Sequence, residues 1–146
     1  MTKGAYGQYI IRNQSIPSFT QFYERVLWEY RFETKEKSWD GVMARHKAIL
    51  GSKAAAFTLS HFTPFGAGSW LEEGNRYGAE AEIYQYGSDV IFRLLVVPYM
   101  SIFDSHDYFL LSQGIVEKIL DDERCMQKIT GIVQRLWAYG VHISPY

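Results

Sequence analysis

Apolar positions along the chain follow two rhythms. In SIPSFTQFYERVLWEY, Phe19, Phe22, Tyr23, Val26, Leu27 and Tyr30 recur at i, i+3, i+4, i+7, i+8 and i+11, which is one face of an α-helix. Ser18 and Gln21 have the spacing of a capping box for it. The polar ETKEK interrupts, and helical spacing resumes from a Ser38 cap to just before Gly51, with Trp39, Val42, Met43, His46, Ile49 and Leu50 on one side. Elsewhere the period is two. Residues 6–12 (YGQYIIR) read as a first strand and AAAFTLSHFTPF as another, with Phe57, Leu59, His61 and Thr63 sharing a face. GAGSWLEEGNRYG reads as a glycine-rich surface loop carrying Trp70.

A hairpin comes next. In AEAEIYQY, Ala79, Ala81 and Ile83 point one way and Glu80, Glu82, Tyr84 and Tyr86 the other. Gly87-Ser88 makes the turn, and VIFRLLVVPY is the near-continuous apolar run of a central strand. With Tyr86 opposite Asp89, Glu82 falls opposite Arg93, so the lone arginine of that strand has a cross-strand ion partner. The alternative is an arginine pointing into a pocket to hold an anion. From Asp104 the helical rhythm returns through Tyr108, Leu111, Ile115 and Ile119. A further helix capped at Asp121-Asp122 carries Met126, Ile129, Ile132, Val133, Leu136 and Trp137, and Gly140 stops it. VHISPY then forms a short last strand with His142 and Ser144 on one side. The pattern predicts one α+β domain over residues 1–146. Helices precede and follow a mainly antiparallel sheet that includes about 54–64, 78–86 and 90–99.

Composition narrows the partner. Aromatic residues make up 16% of the chain, with four Trp, eleven Tyr and nine Phe, more rings than a core of this size buries. A net charge of −1, with fifteen basic residues spread among sixteen acidic ones, argues against general nucleic-acid binding. The longest greasy run, Val90 to Phe103, is broken by Arg93 and Pro98 and is too short to span a bilayer, so no membrane association is expected. One cysteine, Cys125, fits a reducing compartment, and residues 1–15 lack an apolar signal core; both point to a cytoplasmic protein.

No metal or cofactor is expected. His46, His61, His106 and His142 lack metal-site spacing, CxxC and HExxH are missing, and GAGSW lacks a dinucleotide fingerprint.

One motif occurs twice. HFTPF at 61–65 and HISPY at 142–146 each run histidine, apolar, hydroxyl, proline, aromatic. On a strand, the histidine and hydroxyl project to the same face, side by side. Two such strands facing each other put an imidazole on either side of a cleft, one as general base on water and one as acid to the leaving oxygen. In this pair of H-Φ-[S/T] motifs the chain resembles the 2H phosphoesterase superfamily. The resemblance implies a metal-independent phosphodiesterase acting on a cyclic or 2′,5′-linked phosphodiester. His61 and His142 would be its acid–base pair, and Thr63 and Ser144 its phosphate ligands.

The same letters also read as two strand ends, and then the aromatic surplus carries the function. Tyr and Trp dominate interface energetics. A non-catalytic protein of inhibitor, immunity, viral accessory or assembly-subunit type would bind a protein partner through such rings, with Trp70, Tyr84, Tyr86 and Arg93 as the contact residues. A third class is an α+β fold with helices wrapped on a curved sheet around an aromatic pocket. The residues leave open whether the chain is an enzyme.

Overall fold

A computed structural model describes residues 2–50, 77–98 and 110–146. The strands are β1 (Thr2–Ile11), β2 (Phe32–Trp39), β3 (Met43–Leu50), β4 (Tyr77–Tyr86), β5 (Asp89–Pro98), β6 (Ile119–Asp121) and β7 (Ile143–Pro145). The helices are α1 (Ile16–Glu29) and α2 (Glu123–Ala138). The sheet runs β2-β3-β4-β5-β1-β6, with β7 also on β1. β6 pairs parallel with residues 2–4 of β1 and β7 antiparallel with residues 9–11, so the two share one edge of β1. All other pairings are antiparallel, as expected of a mainly antiparallel α+β domain.

Both helices pack on one face of the sheet. Phe19, Tyr23, Val26 and Leu27 of α1 and Ile129, Ile132 and Leu136 of α2 are buried against Ala79, Ala81, Ile83, Val90, Phe92, Leu94 and Val96. Ala44, Ala48, Ala79 and Ala81 are short, which leaves room for rings. Phe92 meets Phe19 at 4.9 Å and Tyr23 at 5.1 Å between centroids, both edge to face. The other face carries a smaller apolar cluster of Leu95, Val97, Leu110 and Leu111.

Helix ends follow local chemistry. The cap of α1 is Ser15, not Ser18: its Oγ accepts the Ser18 N–H at 3.2 Å. Pro17 falls in the first turn, where its missing N–H costs nothing, so the helix starts before the expected capping box. Asp122 caps α2 by accepting the Cys125 N–H at 3.0 Å. At the far end Gly140, at φ +87°, lets the N–H groups of Gly140 and Val141 turn back to the carbonyls of Trp137 and Leu136.

Two expected helices are replaced. Residues 38–50 form no helix, because β2 and β3 make a hairpin through ETKEK and MARHKAIL. Asp40-Gly41 decides it. The Asp40 carboxylate accepts the N–H groups of Val42 and Met43 at 2.9 and 2.8 Å, and Gly41 sits at φ +93°. The described part of the region expected as a helix through Leu111, Ile115 and Ile119 is two 3₁₀ turns, Leu111–Gln113 and Ile115–Lys118, followed by β6. Gly114, left-handed at φ +70°, separates the turns. The expected strand at 54–64 and the Trp70 loop lie outside the described residues. No described helix is long and apolar enough to cross a membrane.

Candidate functional site

The β4–β5 hairpin has the register its turn implies: Tyr86 faces Asp89 and Glu82 faces Arg93. Alternation then sends Glu80, Glu82, Tyr84 and Tyr86 to the face opposite the helices.

The first two are buried rather than solvated, and each is satisfied. Glu82 lies between two guanidinium groups, with Arg93 Nη1 at 2.6 Å from Oε1 and Arg45 Nε at 3.3 Å from Oε2. Arg93 also donates from Nε to the Tyr6 hydroxyl at 2.8 Å, and Tyr6 donates onward to Gln8 Oε1 at 2.9 Å. Glu80 accepts the backbone N–H groups of Leu110 and Leu111, both at 2.9 Å. Burial still pushes the Glu80 carboxyl above its ordinary pKa, although those N–H groups and Lys47 pull it down.

Toward the hairpin turn this network gives way to rings. Tyr84 is half-buried, and burial raises its hydroxyl pKa. Tyr86 and Tyr146 are 55% and 58% exposed and meet edge to face at 6.2 Å. The Tyr146 N–H donates to the Gln8 carbonyl at 2.9 Å, which ties the end of the chain to β1. A hydrogen bond with Tyr86 raises the Tyr146 hydroxyl pKa. The face therefore presents Tyr6, Tyr84, Tyr86 and Tyr146 around an arginine whose guanidinium is fixed in place. Two guanidiniums against the Glu82 carboxylate leave one positive charge in that triad.

Of the residues expected at a site, Tyr84, Tyr86 and Arg93 come together here. Arg93 is ion-paired across the strands to Glu82 and 26% exposed. Tyr6, Tyr146 and Arg45 belong to the face and were not foreseen. β1 meets β5 and β3 meets β4 through pairings distant in sequence, so no local spacing announces them.

His142 and Ser144 flank Ile143, and both are exposed. Ser144 pairs with Ile10 of β1, the His142 carbonyl accepts the Arg12 N–H at 3.0 Å, and its ring stands edge-on to Trp137 at 6.1 Å. His61, Thr63 and Trp70 lie outside the described residues. Among the described residues no group of three or more His, Cys, Asp or Glu converges to hold a metal ion.

The chain was compared with known protein families and with curated proteins. No family model and no curated protein matches it.

Proposed function

We propose that this chain acts by binding a protein partner, with the tyrosine–arginine face as its contact surface. The observation that supports this is the convergence of Tyr6, Tyr84, Tyr86, Tyr146 and Arg93 on one side of the β4–β5–β1 sheet. Tyrosine and arginine are, with tryptophan, the residue types enriched among those that carry binding energy at interfaces. Arg93 is already oriented by Glu82 and Tyr6, so docking costs little of its side-chain entropy. The surplus positive charge of the triad suits a partner segment carrying a carboxylate.

The experiment is affinity capture from the source cell with three baits: the wild-type chain, a Tyr86→Ala/Tyr146→Ala variant and a Trp28→Ala/Trp137→Ala variant. The two tryptophans removed in the third bait are 78% and 60% exposed in the wild-type chain, on the helices, on the other side of the sheet. A partner retained by the first and third baits and lost with the second is the expected result. Loss with the third alone would move the surface to the helices.

A second reading rests on His142 and Ser144, exposed two residues apart beside β1. It is the metal-independent 2H-type phosphodiesterase, whose other half would be His61 and Thr63. Hydrolysis of a 2′,3′-cyclic nucleotide, abolished by His142→Gln and by His61→Gln with the fold intact, is the behaviour it requires.

A further inference from the structure

Tyr86 and Tyr146 make the one ring contact between two tyrosines among the described residues, with centroids 6.2 Å apart. They come from distant parts of the chain. Tyr86 closes β4 just before the Gly87-Ser88 turn, and Tyr146 follows β7. Backbone pairing fixes their meeting: Tyr86 lies opposite Asp89 of β5, and the Tyr146 N–H sits on the Gln8 carbonyl of β1 at 2.9 Å. Neither ring belongs to the core, and both are more than half exposed.

The other rings and the thiol are placed differently. The Tyr6 hydroxyl is held by Arg93 and Gln8, and Tyr84 is half-buried. Tyr9, Tyr23 and Tyr139 meet phenylalanine rings, which carry no hydroxyl. Cys125 is the chain's single cysteine, and burial pushes its pKa up to about 12. It therefore offers no exposed thiolate to compete for an oxidant.

A phenol that loses one electron and its hydroxyl proton becomes a radical, with unpaired spin on the oxygen and on the ring carbons next to the C–O carbon. The Tyr86 and Tyr146 hydroxyls are hydrogen-bonded to each other, which brings those Cε carbons of the two rings close together. The rings stand at 62°, so coupling requires Tyr146 to turn about its side-chain bonds, a motion its exposure leaves free. Holding the two partners side by side favours coupling within the chain over coupling between chains.

We propose that Tyr86 and Tyr146 form an oxidative crosslinking site: a peroxide, acting through a one-electron oxidant of the haem peroxidase type, joins them Cε to Cε as dityrosine and staples the end of β7 to β4. Each tyrosine gives up one electron and its hydroxyl proton. The two radicals couple through a new carbon–carbon bond, and each linking carbon returns its hydrogen to its own oxygen as the ring regains aromaticity. The two electrons and two protons reduce one hydrogen peroxide to two waters. Only the free chain takes part, so the reaction stands apart from the protein-binding reading of the same face.

The test treats the whole chain, dilute, with hydrogen peroxide and a haem peroxidase. A monomer lighter by two hydrogens is expected, with blue dityrosine fluorescence and one linked pair of proteolytic peptides that contain Tyr86 and Tyr146. Its thermal midpoint rises by several degrees, because the link closes a long loop of the unfolded chain. Tyr86→Phe and Tyr146→Phe each keep an exposed ring and the fold but lose the link. Tyr30→Phe, at an exposed tyrosine away from the pair, retains it. A link within the chain that survives in either of the first two variants overturns the proposal, as does a product that only joins separate chains. A linked monomer whose midpoint is unchanged overturns the staple.

Discussion

On the helix side of β5, Val90, Phe92, Leu94 and Val96 are buried, and two helices bring aromatic and aliphatic side chains to meet them. On the opposite side Ile91, Leu95 and Val97 are buried too, but Arg93 stands between them, and β4 contributes Glu80 and Glu82. The first face is held by non-directional contact, where the total buried volume matters more than any one angle. The second is held by hydrogen bonds with fixed partners: Arg45 and Arg93 on Glu82, two backbone N–H groups on Glu80, Tyr6 on Gln8. A buried ion pair is a poor way to gain stability over a well-packed apolar one. It does orient side chains, and the oriented side chains here are those that reach the surface. The helix face makes the fold, and the polar face sets the geometry of what the fold presents.

The largest effect comes from breaking the apolar face. Phe92→Ala removes the ring that meets Phe19, Tyr23 and Tyr9, and loses about 3–5 kcal/mol of stability, read from urea unfolding. Acid acts on the same face through His46. Its folded pKa of about 4 lies below the ordinary 6.5 because burial disfavours the cation; Glu24 opposes this and Lys37 adds to it. The stabilisation is complete above about pH 6.5 and is lost as the pH falls toward 4, because the unfolded chain takes up a proton that the folded one resists. The loss amounts to about 3 kcal/mol by pH 4. Unfolding curves of the wild type and His46→Leu at pH 7 and pH 4 measure it, and the variant lacks that part of the slope.

Glu82→Gln tests the polar face. It leaves Arg45 and Arg93 sharing one neutral carbonyl, at a cost of about 1–3 kcal/mol, less than the ring because both guanidiniums reach water. Its effect on partner binding should exceed its effect on stability, whereas Phe92→Ala shows the reverse.

Much of the fold was legible from short-range pattern. α1, α2 with its Asp122 cap and Gly140 stop, the β4–β5 hairpin with its Glu82–Arg93 pair, and the last strand all follow from spacing within about twenty residues. The hairpin of β2 and β3 is hidden in the sequence because Trp39, Val42, Met43, His46 and Leu50 also fit a helical period. The Asp40-Gly41 turn was the better signal, since the carboxylate holding the Val42 and Met43 N–H groups and the left-handed glycine join two strands rather than continue a helix. The burial of Glu80 and Glu82 was not legible. Their partners Leu110, Leu111 and Arg45 are 30, 31 and 37 residues away, and only the folded sheet brings them in. The same holds for Tyr6 beside Arg93, 87 residues apart. The placement of Tyr84, Tyr86 and Arg93 on one face was legible because a two-residue turn fixes their register locally.

The most direct test of the polar face as the working surface is a side-chain NMR titration of the wild-type chain with the partner it captures. Tyrosine ring resonances of Tyr6, Tyr84, Tyr86 and Tyr146 should shift together and saturate, while the indole N–H signals of Trp28 and Trp137 stay in place. Shifts of those two indoles with the four tyrosines unmoved would contradict it, and would put the contact on the helices instead.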